Sequence, residues 1–364
     1  MRLGEICEIL DSKRVPITAS NRTAGIYPYY GANGVQDYVD GYIFDDELVL
    51  VAEDGGYFGS KDKPIAYRVS GKCWVNNHAH VLKPKGIVNV DYLCYSLMYK
   101  DVTSIVNGAT RQKLTQADMK EIDIPMCPMD EQLKIVKQIK QIFALISLRK
   151  QQHAKLDELV KARFVELFGD PQDNPKGYDK RQLKETCKVI TGNTPSRAVN
   201  EYYGEHIEWI KTDNIVNGLI NPTPAAESLS KKGMAVSRTV EKDSILMACI
   251  AGSVSSIGRV CITDRKVAFN QQINAIVPND YNTLFLYVML QISKEYLVEG
   301  INMALKGILS KSKLEEKEFI LPPMELQNQF AAFVEQTDKS KSAIQKSLDK
   351  LETLKGALMQ KYFG

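Results

Sequence analysis

The sequence predicts an α+β protein in which two strand-rich domains are separated by two long helices packed as an antiparallel coiled coil. An internal repeat relates the two halves by a pseudo-two-fold axis. Three observations support this fold class. One stretch of the chain recurs at a constant spacing, the recurring stretch has an apolar stripe at helical period, and the rest consists of short apolar runs punctuated by Gly, Asn and Asp.

The repeat is clearest in the second part of each half. PMDEQLKIVKQI from Pro128 recurs as PMELQNQFAAFV from Pro323, and LDELVKARFVELFG, ending at Gly169, recurs as LETLKGALMQKYFG, ending at Gly364. Both pairs have the same offset and need no gap. The earlier parts match more loosely, as in LGEICEIL against LKETCKVI. The repeating unit is therefore a variable domain followed by a better-preserved helical tail.

The two tails are predicted to be long helices. No Pro or Gly lies between Gln132 and Phe168, and apolar residues recur there at steps of three and four. About 35 helical residues span roughly 50 Å at 1.5 Å per residue. A single such helix would expose its stripe, whereas two can bury their stripes against each other. The alternative is a pair of helices that each dock on a domain.

Four segments follow from this pattern. Residues 1–125 form the first strand-rich domain, 126–169 a central helical spacer, 170–322 the second domain and 323–364 a C-terminal helical spacer. Within the domains, runs such as LVLVA and SILMA are predicted strands. The linker FGDPQDNPKG cannot be helical throughout, because it contains two prolines and two glycines.

Composition limits the class of protein. The seven cysteines are scattered without a C-x-x-C pair, which favours reduced structural thiols over disulfides or zinc. No apolar run is long enough to span a membrane, and we expect a cytoplasmic protein. The net charge is +3, and neither domain segment is strongly basic: 14 Lys and Arg stand against 16 Asp and Glu in the first, and 19 against 18 in the second. A partner would have to supply much of any affinity for DNA.

Several motifs resemble one family. The FGDP…NPKG junction after LDELVKARFVEL resembles the centre of Type I restriction-modification specificity subunits, as do IPMCPMDEQ, its counterpart LPPMELQ and the terminal YFG. TGNTPSR from Thr191 and IEWIKTDNI from Ile207 resemble the second target-recognition domain of that family. PYYGANGV from Pro28 and VNNHAHVL from Val75 resemble a first one. The resemblance covers the whole chain, and the order and repetition of the motifs make it specific.

The resemblance implies a function and partners. In that family each variable domain reads one half of a bipartite double-stranded DNA site. The helices act as a spacer and dock modification subunits, of which we expect two, and restriction subunits join the complex. The assembled complex would be an adenine-N6 DNA methyltransferase and ATP-dependent endonuclease through those partners. The chain itself would be non-enzymatic.

The sequence agrees with a non-catalytic chain. The N/D-P-P-Y/F motif expected of an adenine methyltransferase is absent, and so is a P-loop. The four histidines offer no ligand pair at helical spacing, although His78 and His80 could share a strand face. We therefore predict no catalytic residue, no metal and no cofactor. Two other readings remain open: a coiled-coil scaffold that binds only protein, and a stand-alone DNA modification enzyme.

Candidate DNA-binding residues follow from base chemistry. Asn and Gln suit adenine edges, Arg and Lys suit guanine, and Gly-flanked loops can approach a groove or a phosphate. The candidates in the first domain are Tyr30, Asn33, Asn76, Asn77, His78, Arg111 and Lys113. Those in the second are Lys211, Thr212, Asp213, Ser255, Arg259, Asn270, Gln271, Gln272 and Lys306. The competing interpretation is that the Asn and Gly residues only close turns.

Overall fold

The structure, a computed structural model, describes residues 1–60, 62–108, 112–301 and 307–364. The chain divides into two compact units. Unit 1 contains residues 1–150 and 346–364, and unit 2 contains residues 151–345. Each unit therefore combines one strand-rich segment with parts of both predicted helical tails. The four-segment division drawn from the sequence is a different partition, and it stays a prediction.

Unit 1 is built around one six-stranded sheet with strand order β1-β6-β4-β5-β2-β3. Its strands are β1 Cys7–Ile9, β2 Ala24–Gly31, β3 Gly34–Val39, β4 Phe44–Ala52, β5 Ala66–Val75 and β6 Ala79–Pro84. Its helices are α1 Leu3–Ile6, α2 Val90–Met98, α3 Gln116–Lys120 and the first part of α4 Met129–Phe168. The predicted run LVLVA lies in β4, where it is completely buried. This central strand is apolar on both faces because both faces are covered.

Unit 2 distributes its strands over two four-stranded sheets, β10-β9-β15-β11 and β14-β12-β16-β8, and two strand pairs, β13-β17 and β18-β7. The strands are β7 Lys180–Gln182, β8 Cys187–Thr191, β9 Tyr203–Ile210, β10 Ser228–Leu229, β11 Thr239–Val240, β12 Ile245–Ala248, β13 Ile250–Ala251, β14 Val260–Ile262, β15 Val267–Phe269, β16 Ile273–Pro278, β17 Gly307–Ile308 and β18 Glu318–Ile320. The helices are the second part of α4, α5 Leu183–Thr186, α6 Lys231–Val236, α7 Thr283–Ile292, α8 Lys294–Val298, α9 Lys311–Glu315 and the first part of α10 Met324–Phe363, whose last part belongs to unit 1.

The repeat is visible strand by strand. In unit 1, β2 and β5 run parallel with Tyr30 beside Val75, and in unit 2, β9 and β15 run parallel with Ile210 beside Phe269. In both units the next antiparallel pair has the same register, β4 with β6 and β12 with β16. The two domains therefore share a framework although their sequences match only loosely.

The long helices repeat as well. Helices α4 and α10 each have 40 residues, and their bounds differ by the offset of the sequence repeat. Within unit 1, Lys150 of α4 lies 3.1 Å from Glu352 of α10. Twelve residues earlier in α4, Gln138 accepts the hydroxyl of Tyr362, which lies ten residues later in α10, at 2.9 Å. The two helix segments of unit 1 therefore run antiparallel.

Unit 2 pairs the remaining parts of the same helices. Lys341 Nζ lies 2.6 Å from Asp157 of α4. Further along α4, the ring of Phe164 lies 5.4 Å from that of Phe330, which comes earlier in α10. The segments in unit 2 thus also run antiparallel, and the predicted fold class is confirmed.

A buried glutamine ties each long helix to its neighbouring domain. The Gln132 side chain accepts the N–H of Asn89 at 2.8 Å and donates to the Cys127 carbonyl at 2.9 Å. The Gln327 side chain accepts the N–H of Asn282 at 2.9 Å and donates to the Pro322 carbonyl. Both asparagines are N-caps, of α2 and α7 respectively. The same set of hydrogen bonds around a buried glutamine thus occurs in both units, and we call these two sets the glutamine latches.

Within the described residues, no helix combines the length and the apolar character that a membrane span requires.

Candidate nucleic-acid interface

In unit 1 the parallel strands bring two candidate loops together. The loop after β2 and the turn after β5 meet because parallel strands end at the same edge. The N–H of Asn76 donates to the Tyr30 carbonyl at 3.0 Å. The Asn33 amide donates to the Gly55 carbonyl at 3.0 Å, which ties a third loop to the same edge. We call residues 76–78 the first turn.

Unit 2 builds the equivalent edge from β9 and β15. The N–H of Asn270 donates to the Ile210 carbonyl at 3.0 Å. Residues 211–213 therefore lie beside residues 270–272, which we call the second turn. The two groups of candidates that the sequence placed in the second domain, 211–213 and 270–272, come together at one edge.

Two of the candidate asparagines have side chains that are buried and hydrogen-bonded within these turns. Asn76 is 3% exposed and Asn270 is 6% exposed. The side-chain oxygen of each accepts the backbone N–H two residues later, at 2.8 Å from His78 and at 3.1 Å from Gln272. This is an Asx turn, in which the side chain fixes the backbone. Both amides are thus engaged inside the protein, and the exposed neighbours Asn77 and Gln271 become the stronger candidates.

The charged candidates at these edges have acidic partners. His78 Nδ1 lies 2.8 Å from Asp54 Oδ1, and Lys113 Nζ lies 2.9 Å from Glu53. In unit 2, Lys211 Nζ lies 3.1 Å from Glu227. The two lysine pairs keep a cation at each edge while lowering the net local charge.

The remaining candidates have different surroundings. Ser255 is exposed on a loop of unit 2. Arg259 lines a cavity of about 350 Å³ together with Asp157 and Tyr287, and it donates to the Ser256 carbonyl. Its side chain thus faces a cavity of unit 2. Arg111 and Lys306 lie outside the described residues.

The structure adds an arginine to the edge of unit 2. The guanidinium of Arg197 lies over the rings of Tyr203, at 4.5 Å, and of Trp209, at 5.2 Å, and donates to Glu227 at 2.7 Å. Thr194, from the same TGNTPSR block, donates to the side chain of Gln271. The block attracted notice only for its family resemblance, because nothing local indicates that it lies against the second turn.

Unit 1 contains a related arrangement. Arg22 lies 4.2 Å from the centre of the Tyr29 ring and 3.3 Å from Asp37. Tyr29 and Trp209 occupy matching positions in the two parallel strand pairs. A cation stacked on an aromatic ring and paired with an acid thus recurs in both units.

Behind the first turn lies a buried ionic network. His80 is 1% exposed, and its Nδ1 lies 2.6 Å from Asp11 while its Nε2 lies 2.9 Å from the Leu114 carbonyl. Glu53 accepts from Arg14 at 2.5 Å and from Lys113 at 2.9 Å. Asp11, Glu53 and His80 are close enough to hold a metal ion. Their polar atoms, however, are already paired with each other and with two cations, so the arrangement fits an ion-pair network.

The network keeps its acids ionised. Burial opposes ionisation of Asp11, but the hydrogen bond and charge of His80 outweigh it, so the pKa of Asp11 lies below its usual value. Burial likewise opposes ionisation of Glu53, and the bonds from Arg14 and Lys113 outweigh it, so the pKa of Glu53 is lowered too. The anions and cations therefore coexist behind the first turn at neutral pH.

Comparison with known proteins identifies the family of this chain. The sequence profile described as the Type I restriction modification DNA specificity domain matches residues 1–158 and 175–354. A putative type I restriction enzyme specificity subunit of Haemophilus influenzae is 29% identical over 98% of this chain and 88% of its own length. A type I restriction enzyme specificity subunit of Methanocaldococcus jannaschii is 26% identical over 82% of this chain and 74% of its own length.

Solved structures agree on the fold. The Type I restriction-modification S subunit from M. genitalium superposes with a TM-score of 0.62 at 14% identity, covering 100% of this chain and 95% of its own. A chain from a study of complex assembly and conformational transition in a type I restriction-modification system has a TM-score of 0.59 at 18% identity, covering 100% and 96%. The family profile matches twice and covers most of the sequence, as the internal repeat requires. The chain therefore belongs to the specificity subunits of Type I restriction-modification systems, which are not the catalytic subunits of those systems.

Proposed function

We propose that each unit reads one half of a bipartite double-stranded DNA site through its turn. The observation that carries this proposal is that the same edge is built twice on a common framework with different exposed side chains. Asn77 stands in the first turn where Gln271 stands in the second. Amides of this kind recognise adenine edges in the major groove. Two equivalent edges with different chemistry suit two different half-sites.

The electrostatics support binding as part of a complex. The cations at both edges are paired with acids, and the whole chain carries only +3. This chain alone would neutralise few DNA phosphates and would bind DNA weakly, since the affinity gained from phosphate contacts grows with the number of cations that make them. Partner subunits would supply the remaining contacts.

The partners follow from the family. The restriction-modification complex would contain modification subunits, two by the symmetry of the repeat, together with restriction subunits. In such a complex adenine-N6 methylation and ATP-dependent cleavage belong to the partners. The long helices would dock the modification subunits and set the spacing between half-sites. We place the complex in the cytoplasm, where bacterial and archaeal DNA lies.

Paired substitutions at the two turns test this function. Asn77→Ala should weaken binding to one half-site and Gln271→Ala to the other, each by about 1–3 kcal/mol if the amide makes a bidentate pair of hydrogen bonds to a base. The measurement is fluorescence anisotropy of the complex with modification subunits on DNA in which one half-site is scrambled. The control is Asn279→Ala. Asn279 is exposed and follows β16 at the end of the strand opposite to the second turn, so this substitution should leave binding to both half-sites unchanged. Weaker binding to the same half-site in both turn variants would refute the assignment.

A further inference from the structure

We propose that Asp11, Arg14, Glu53 and His80 position the first turn by charge, whereas unit 2 holds the second turn with neutral side chains. The proposal rests on the function proposed above and adds positioning residues to it. In this arrangement the two half-sites are read through turns that are fixed by different chemistry. Changes to the ionic network therefore affect only the half-site read by unit 1.

Arg14 makes the direct connection to the turn. Its Nη1 donates to the Ala79 carbonyl at 2.8 Å and lies 3.4 Å from the Asn77 carbonyl. The guanidinium thus contacts backbone on both sides of His78. Glu53 fixes the same Nη1 at 2.5 Å, and the Glu53 N–H donates to the His78 carbonyl at 2.9 Å. Arg14 is largely buried, so these contacts are shielded from solvent.

His80 holds the other side of the network. Its two ring nitrogens face a carboxylate and a carbonyl oxygen, and both are acceptors. Only the doubly protonated imidazole donates to both. Asp11 is fixed in turn by the N–H of Val81, at 2.8 Å, and by the side chain of Gln116, at 3.0 Å. The strand that leaves the first turn is therefore anchored by ionic hydrogen bonds.

Unit 2 has the same framework without these charges. His80 lies opposite Val51 in its strand pair, and Asn274 lies opposite Met247 in the equivalent pair. The hydroxyl of Thr191 donates to Asn274 at 2.8 Å, which matches the contact of Asp11 with His80. Thr191 and Asn274 have no charged form near neutral pH.

Cys249 takes the place of Glu53. Its N–H donates to the Gln272 carbonyl at 2.8 Å, and its carbonyl accepts from Leu309 at 2.8 Å. The same two bonds link Glu53 to His78 and Leu114. Burial raises the pKa of the Cys249 thiol to about 12, so this position is neutral. An ionic trio in one repeat thus matches a neutral trio in the other.

Substitution of Arg14 tests the proposal in the full complex with modification subunits. Arg14→Gln removes the charge. Arg14→Lys keeps it but lacks the additional guanidinium nitrogens, which lie against Asp11 while Nη1 contacts Glu53 and the turn. We expect Arg14→Gln to weaken binding to the half-site of unit 1 by roughly tenfold, as for the removal of one charged hydrogen bond, and Arg14→Lys to restore part of it. Binding to the other half-site should not change.

Two further readouts separate positioning from other roles. The preference for the correct half-site over one with a single base changed should fall in Arg14→Gln and be partly restored in Arg14→Lys, whereas partial unfolding would only lower the active fraction. The salt dependence of binding should keep its slope, because removing a direct phosphate contact would lower it by about one. The reciprocal variant in unit 2 is Thr191→Val, at the position equivalent to Asp11, which should reduce the preference only at the half-site of unit 2.

The outcomes are distinguishable. An unchanged base preference at the half-site of unit 1 in a folded Arg14→Gln variant would overturn the proposal, and so would an equal reduction at both half-sites. A lower salt slope would make Arg14 a phosphate ligand and would also overturn it. If the unmodified complex preferred neither half-site over scrambled DNA, the proposed function itself would fail.

Discussion

At the scale of single residues, burial decides which polar groups remain available. Asn76 and Asn77 are adjacent and chemically identical, yet one is buried in its turn and the other is exposed. Asn270 is likewise buried in its turn while its neighbour Gln271 is exposed. The residue type therefore indicates which short segment of the chain could contact DNA. The backbone conformation then decides which residue of that segment has an exposed side chain.

The cysteines give a direct test at this scale. Burial raises the pKa of six thiols to about 12: Cys7, Cys73, Cys94, Cys187, Cys249 and Cys261. Because the thiolate is the reactive form, we expect these six to resist iodoacetamide at pH 8 in the native protein. Mass spectrometry of tryptic peptides measures the labelling. Unfolding in urea should expose all seven to the reagent, and rapid native labelling of the six would contradict the described burial.

Contacts of single residues also determine how much of the candidate site could be predicted from the sequence. The sequence named residues of both turns as candidates, because Asn and Gln suit adenine edges and amides cost free energy where they lack partners. It could not find Thr194 or Arg197, since their contacts join segments far apart in the chain. It also left His80 without a role, because Asp11 is 69 residues away.

At the scale of elements, the long helices were the most predictable part. Their period, their lack of Pro and Gly and their repeat are local signals, and α4 Met129–Phe168 lies inside the predicted segment 126–169. The apolar segment after β16 forms two helices, α7 and α8, which are divided at Ser293. The parallel pairs β2–β5 and β9–β15 were not predicted, since the register of distant strands depends on contacts that no local pattern encodes.

The glutamine latches should each stabilise their own unit. Gln132→Leu would leave the N–H of Asn89 and two carbonyls without their buried partner, and Gln327→Leu would do the same to Asn282. We expect each to lower the free energy of unfolding of that unit by about 2–4 kcal/mol, the cost of stranding buried polar groups. Hydrogen exchange of β4 and β12 reports the two units separately.

A matched control distinguishes the latch from a general effect of removing a glutamine. Gln141 is exposed on α4, so Gln141→Leu should leave exchange in both units within about 0.5 kcal/mol of the original protein. Equally reduced protection in β4 and β12 after Gln132→Leu would show that the latch does not act within one unit.

At the scale of the whole molecule, the repeat gives each helix a part in both units. Helix α4 begins in unit 1 and ends in unit 2, and α10 does the reverse. The aromatic residues at the C-terminal ends of the two helices show the same division. Phe168 of α4 packs on Phe285 within unit 2, and Phe363 of α10 packs on Tyr92 within unit 1. The segment that closes one sequence repeat thus contributes to the core of the other unit.

The helices are expected to set the spacing between half-sites, and paired insertions test this. One heptad added between Lys150 and Gln151 and another between Gln345 and Lys346 would lengthen both helices at the boundary of the units. Seven residues add about 10 Å, or roughly three base pairs at 3.4 Å each, and shift the helical phase by only about 20°. The methylation map of cells expressing the variant with its modification subunit should show the same half-sites separated by a spacer about three base pairs longer.

Both insertions are needed because the helices pair on either side of the boundary. Lys150 contacts Glu352 within unit 1, and Asp157 contacts Lys341 within unit 2. A heptad in α4 alone would lengthen one helix and leave its partner short, so this single variant is the control and should impair assembly or methylation. The double variant keeps both contacts in register. If it assembles with its partners and methylates sites with unchanged spacing, the helices do not determine the distance, and the recognition of spacer length must reside in the partner subunits.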